Sequence, residues 1–279
     1  KVLSEAGFPH PGHSEYLGEL TAALSTREPR YEDIGVCVDG EYRQLNDCVL
    51  QLENEYYSAI RPKPVSKQPR LITALREHGV EYVEVRTLDL NPFATIGVEA
   101  GQARFIEALL LYCLLLPSPA ISDDEQAEID ARDLEVAWEG RKPGLTVVDN
   151  GREVPFRDLA VGLTERLADC AALLDGGDSS AYADAVRSAR EAVLDPTETL
   201  SARVLAEIEA GSGSFFEWAS VVADRQQARL RDFRFDADRL AELEAVAADS
   251  LREARAAEAA DELPFDEFLA GFLARGIDP

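Results

Sequence analysis

The run Gly79-Val-Glu-Tyr-Val-Glu-Val-Arg-Thr-Leu-Asp-Leu-Asn-Pro-Phe93 constrains this chain more than any other, because it is strand-like yet carries charges where a core belongs. Between Tyr82 and Leu88 the alternation has period two. Tyr82, Glu84, Arg86 and Leu88 therefore share one face, and Val83, Val85 and Thr87 the other. One face packs, while the other sets a carboxylate beside a guanidinium. Two readings fit: a half-solvated edge strand with an ion pair, or the floor of a pocket in which Glu84 holds a hard cation and Arg86 a phosphoryl or carboxylate group. The second reading puts both side chains in one concave pocket. Asn91-Pro92 ends the strand, since proline lacks the donor a ladder needs.

Upstream, Val49 to Tyr57 reads as a strand of the same design, with Leu50, Leu52 and Tyr56 behind and Gln51, Glu53, Glu55 and Tyr57 in front. Glu53 and Glu55 would bracket a divalent ion or orient Arg61; a wet sheet face is the plain alternative. From Ser58 to Arg76 no acidic residue occurs, whereas Arg61, Lys63, Lys67, Arg70 and Arg76 are all cationic. In a chain with 53 Asp and Glu against 28 Lys and Arg, and a net charge of -25, that gap reads as a phosphate-facing loop, with a solvated loop as the plain alternative. The same acidity disfavours nucleic acid and anionic membrane as partners. Cys37, Cys48, Cys113 and Cys170 and the three histidines lack the spacing of a zinc site or disulfide framework. Cys37 and Cys113 sit in apolar runs and read as buried thiols.

Other elements follow in order. A helix is expected from Glu15 to Leu24, a hairpin of Ile34–Val38 and Glu41–Leu45 about Asp39-Gly40, and a short helical turn at Leu71–Arg76. From Glu99 onward the period becomes 3.6. Phe105–Leu116 is apolar on all sides and reads as a central buried helix, too short and interrupted for a membrane span. Ser122 with Glu125 caps a helix to about Glu139, and Asp149-Asn-Gly151 turns a second hairpin. Leu159, Leu163, Leu167, Cys170 and Leu174 form one helical stripe. Further helices are expected at 181–193, 200–210, 214–231, 237–257 and 265–274, with Phe215, Trp218 and Val222 on the buried side of the third.

Three long motifs in order resemble the bacterial glutamate–cysteine ligase family: Leu50-Gln-Leu-Glu-Asn-Glu-Tyr-Tyr-Ser-Ala-Ile-Arg-Pro-Lys63, the Gly79–Phe93 run, and Glu139-Gly-Arg-Lys-Pro-Gly-Leu145. The resemblance implies an α+β fold. Residues 1–98 would supply part of an antiparallel, glutamine-synthetase-like catalytic sheet, and 99–279 a mainly helical portion packed on it as one unit. It implies ATP-dependent ligation of the glutamate γ-carboxylate, through an acyl phosphate, to the amine of cysteine in a cytoplasmic first step of glutathione synthesis. By the resemblance, Glu84 is a metal ligand, Arg86 contacts the transferred phosphoryl group and Tyr57 borders the cysteine pocket. Arg61 and Lys63 contact substrate or nucleotide, and the cofactors are ATP and Mg2+. Family members are nearly twice as long, and several of their metal carboxylates come from an N-terminal part not matched here. The expectation is therefore the C-terminal portion of a ligase, active only with the rest. Val2 stands where an arginine is usual and Phe8 where a tyrosine is usual. These departures keep two other readings open: a catalytically degenerate binding or structural protein, and a carboxylate–amine ligase with another acceptor.

Overall fold

The computed structural model describes residues 13–275 apart from Lys67, Pro69 and Asp178. The departures at Val2 and Phe8 lie outside the described residues. The fold is α+β, with eleven α-helices and three antiparallel two-stranded ladders among the described residues. It divides into two compact units, Lys1–Leu88 with Phe235–Pro279, and Asp89–Arg234. The change to helical periodicity comes after Glu99, but the boundary between units falls at Leu88, and the tail from Phe235 groups with the first unit.

In the first unit, α1 (His13–Ser25) and α3 (Leu71–His78) bury their apolar sides against each other. Tyr16, Leu17, Leu20, Ala23 and Leu24 meet Leu50, Ile72 and Leu75 in one core. A short α2 (Pro29–Glu32) leads to the hairpin β1 (Cys37–Val38) and β2 (Glu41–Tyr42). Its turn residues Asp39 and Gly40 both have positive φ, 56° and 84°, the left-handed pair that a tight two-residue hairpin requires.

The strand expected at Val49–Tyr57 is not formed; Glu53–Glu55 is instead a turn of 3-10 helix. The cause is local. The Glu55 carboxylate reaches back to accept from the Gln51 and Leu52 N–H groups, at 2.6 and 3.4 Å, and so closes the backbone on itself. The partner of the charged strand lies further on: β3 (Ile60–Lys63) pairs antiparallel with β4 (Tyr82–Val85), Arg61 opposite Glu84 and Lys63 opposite Tyr82. The tail supplies α10 (Ala237–Ala259), which buries no residue, and α11 (Phe265–Leu273), anchored by buried Leu269 and by Phe265 edge-on to Tyr42 at 4.9 Å.

In the second unit, α4 (Ala100–Leu115) packs with α6 (Phe156–Asp175) and α7 (Ala181–Leu194) about Ala108, Leu167, Ala171 and Val186. The predicted stripe of α6 supplies this core through Leu167, with Leu163 and Leu174 packed against it, and Cys170 of the same stripe is buried. α5 (Asp123–Glu139) is capped by Ser122 Oγ, which accepts from the Glu125 N–H. It precedes the hairpin β5 (Thr146–Asp149) and β6 (Arg152–Pro155), whose turn has Asn150 and Gly151 at φ 52° and 69°. α8 (Leu200–Ala210) and α9 (Phe215–Asp232) complete the unit.

Burial is where the sequence reading needs correcting. α4 is not buried all round: of its residues only Ala108 is fully buried, and Leu114 is 80% exposed at its end. Phe215 is likewise exposed, leaving Val222 as the buried contact of α9. Cys37 and Cys113 are exposed thiols, one on a two-residue hairpin strand and one on the open side of α4. An apolar run fixes helix or strand, but burial needs a second surface, and these positions have none among the described residues.

Candidate active site

The β3–β4 ladder brings five of the expected site residues together. Period two puts Glu84 and Arg86 on one face, and Arg86 Nη2 donates to Glu84 Oε1 at 2.8 Å. Antiparallel pairing sets Arg61 directly across from Glu84, and Lys63 Nζ lies 3.7 Å from Glu84 Oε2. Tyr57, just before β3, presents its ring 5.6 Å from both the Arg61 and the Arg86 guanidinium, within cation–π range. One carboxylate thus faces three cations. The hydrogen bond from Arg86 holds Glu84 below the usual carboxylate range, burial opposes this, and the charges of Arg86, Lys63 and Arg61 reinforce it. Glu84 in turn raises Arg86.

These groups are not all saturated. Among the described residues Glu84 Oε2, Arg86 Nε and Arg61 Nε are buried atoms without a hydrogen-bond partner. Arg61 is buried as a whole and spends Nη2 on the Asn54 carbonyl at 3.0 Å. A buried donor or acceptor left unpaired is costly, so such a cluster suits a ligand with matching charge.

A cavity of about 410 Å³ adjoins the ladder, lined by Glu53, Asn54, Lys63, Gln68, Tyr82 and Phe272 among others. Glu84 and Arg86 are not among the residues that line it. They form their ion pair beside Tyr57 and are partly open to solvent. Lys63 belongs to both places.

The two other carboxylates are engaged elsewhere. Glu53 is buried in an ion pair with Arg70, Nε to Oε1 at 2.9 Å, and Glu55 closes the 3-10 turn. Residues 49–57 do not present the expected row of acidic groups. Tests of fit to a divalent cation therefore reach Glu84 alone: its orphaned Oε2 fits one ligand position, and no group of three His, Cys, Asp or Glu among the described residues could hold a metal. The basic run also divides. Arg61 and Lys63 face Glu84, Arg70 turns inward to Glu53, Arg76 reaches Thr21, and Lys67 lies outside the described residues.

Sequence reasoning missed two features. Arg70, 1% exposed, is a buried partner rather than a phosphate contact, and Phe272 stacks on it with the ring 4.7 Å away while forming a cavity wall. The i, i+4 pair Phe268 and Phe272 on an apolar helix was the available signal for the second; for the first, no local signal distinguishes an inward arginine.

Comparison with known proteins gives one family. The glutamate–cysteine ligase family model matches residues 6–136. The glutamate–cysteine ligase of Shewanella oneidensis is 40% identical over 98% of this chain and 52% of its own length, and that of Pseudomonas paraeruginosa 43% identical over 93% and 49%. A crystal structure of the Francisella tularensis ligase in complex with AMP superposes with a TM-score of 0.89 at 29% identity, over 98% of this chain and 54% of that one. A bifunctional glutathione synthetase from Pasteurella multocida shares the fold at a TM-score of 0.54 and 20% identity. The chain spans about half the length of the relatives it matches. The chain is thus similar to glutamate–cysteine ligases over nearly all of its own length and about half of theirs.

Proposed function

We propose that this chain carries the phosphoryl-facing part of an ATP-dependent ligase that joins the γ-carboxylate of glutamate to the amine of cysteine, the first step of glutathione synthesis. The observation that carries the proposal is the local reversal of charge. In a chain of net charge -25, Arg61, Lys63 and Arg86 gather about the single carboxylate of Glu84 on one ladder. Anionic substrates such as glutamate and ATP need such a place.

In the reaction the γ-carboxylate oxygen attacks the terminal phosphorus of ATP, ADP leaves, and the amine then displaces phosphate from the acyl phosphate. Arg86 is poised to neutralise the transferring oxygens: Glu84 fixes its guanidinium from one side, and its Nε remains free to donate. A guanidinium already oriented at the start loses little on reaching the transition state. Arg61 and Lys63 supply further positive charge, and Tyr57 covers both guanidinium planes and borders the acceptor amine. Mg2+, when bound, would neutralise phosphate charge with Glu84 as one ligand. Glu53, paired with Arg70, and Glu55, which closes the 3-10 turn, are not available to it.

The test is ADP release with Mg2+, glutamate and cysteine, using the 279-residue chain alone and mixed with the unmatched half of the Shewanella oneidensis relative. The chain alone should be inactive and the mixture active. Arg86→Lys should reduce turnover about 100–1000-fold, the effect of losing a strong transition-state donor. An Arg86→Lys mixture within about threefold of the parent would leave Arg86 a structural residue. No ADP release from the parent mixture would sink the ligase reading.

A further inference from the structure

A single turn of 3-10 helix, Glu53–Glu55, is too short to satisfy its own ends, and its last carbonyls need partners from outside the turn. The Asn54 carbonyl finds one in Arg61, whose Nη2 donates to it at 3.0 Å. A guanidinium donates in its own plane, and Tyr57 covers that plane from its face at 5.6 Å, so the two contacts together fix how the buried Arg61 is turned. Arg61 stands opposite Glu84 on the ladder, and its Nε is a buried donor without a hydrogen-bond partner among the described residues. Where the Asn54 carbonyl points therefore sets where the Arg61 charge points.

Both flanking glutamates hold that carbonyl. Glu53 is drawn inward by Arg70 at 2.9 Å, and Glu55 turns its carboxylate back to accept from the Gln51 and Leu52 N–H groups at 2.6 and 3.4 Å. Gln51 is itself tied down: its Oε1 accepts from the Leu45 N–H at 2.7 Å, and its carbonyl accepts from Asn46 Nδ2 at 3.2 Å. The peptide joining Asn54 to Glu55 thus sits between two anchored side chains. Glu55 is exposed, so what it contributes is closure of the turn rather than a place in the core.

We propose that Glu55 is a positioning residue for Arg61: by closing the turn it aims the Asn54 carbonyl, and that carbonyl holds the guanidinium ready for a polyphosphate bound beside Glu84. The proposal rests on the functional reading above, in which Arg61 supplies positive charge to a phosphoryl group. What sets this turn apart from an ordinary one is how its end carbonyl is spent, on a buried cation that keeps an unpartnered donor. Were the carbonyl to swing away, Arg61 would lose a charge-assisted acceptor in a place poor in water and would turn to Glu84 across the ladder. That would satisfy the orphaned Glu84 Oε2 and withdraw both groups from a ligand.

The test uses the 279-residue chain with isotope-labelled arginine side-chain nitrogens, and inorganic pyrophosphate as the probe. The Arg61 guanidinium resonance, identified by its loss in Arg61→Lys, should exchange slowly with water in the parent and in Glu55→Gln, whose amide oxygen can accept the same two N–H bonds. In Glu55→Ala it should exchange fast, with the far-UV spectrum unchanged because the site is exposed. Pyrophosphate affinity by calorimetry should fall about tenfold or more in Glu55→Ala and less than about threefold in Glu55→Gln. A slow Arg61 resonance or an unchanged affinity in Glu55→Ala would overturn the proposal. So would equal losses in the two variants, since the carboxylate charge itself would then be what matters, as in a cation ligand. A parent chain with a slow Arg61 resonance that binds no pyrophosphate would count against the phosphoryl-facing reading alone, and the resonance in Glu55→Ala would then support or overturn the positioning role by itself.

Discussion

Replacing Arg70 by Met should be among the most damaging single changes to the first unit. The Arg70 side chain is 2% and the Glu53 side chain 5% exposed, and one charge-assisted bond of 2.9 Å joins them. Arg70 Nη1 and Nη2 have no hydrogen-bond partner among the described residues, and Phe272 covers the guanidinium at 4.7 Å. Removing the cation leaves an unpaired carboxylate that is only 5% exposed, which typically costs about 3–5 kcal/mol. Domain stabilities run to only about 5–15 kcal/mol, so the loss would be a large fraction of the total. Removing both charges at once, as Arg70→Met with Glu53→Leu, should recover most of it, because an apolar pair of similar volume avoids the desolvation cost of two ions. By contrast, Arg252→Ala at the exposed pair with Asp249 should cost about 0–1 kcal/mol. Urea unfolding of Arg70→Met, Glu53→Leu, the double variant and Arg252→Ala, followed by far-UV circular dichroism, gives all four values, and both tryptophans lie in the other unit, so their fluorescence reports separately on it. An Arg70→Met loss below about 1 kcal/mol, or a double variant as weak as the sum of its singles, would refute the view that this pair is desolvated and coupled.

Two further outcomes follow from the geometry. Glu84 is held below its ordinary pKa by the Arg86 hydrogen bond and neighbouring cations, so its ionised form favours the folded chain. That contribution is complete above the unfolded glutamate value of about 4.3 and is lost as pH falls through the lower folded value. Melting temperature against pH should therefore fall less steeply on the acid side for Glu84→Gln, and identical slopes would argue against the shift. Gly97 sits at φ 80°, and a Cβ there would meet Leu90 Cδ1 at 2.6 Å, so Gly97→Ala should destabilise the second unit by about 1 kcal/mol or more. Gly101→Ala, in a helix with nothing within 4 Å, should stabilise it by roughly 0.4–1 kcal/mol in the same urea titration.

The sequence by itself determined what depends on neighbours along the chain. The helices at 181–194, 200–210 and 215–232 start and stop where their periodicity and caps require, and Asp39-Gly40 and Asn150-Gly151 turn hairpins because those residues tolerate positive φ. The Glu84–Arg86 face was equally legible, since a two-residue repeat within one strand fixes it. Tertiary structure decided the partners. Glu53 and Glu84 are both strand-like glutamates in sequence, yet one meets Arg70 seventeen residues away in a closed interior while the other meets Arg61 and Lys63 across a ladder. Phe105–Leu116 has the composition of a buried helix and leaves Leu114 in water. Periodicity says which side chains share a face, whereas desolvation and charge pairing depend on what the folded chain brings against that face from a distance, and no local pattern records that.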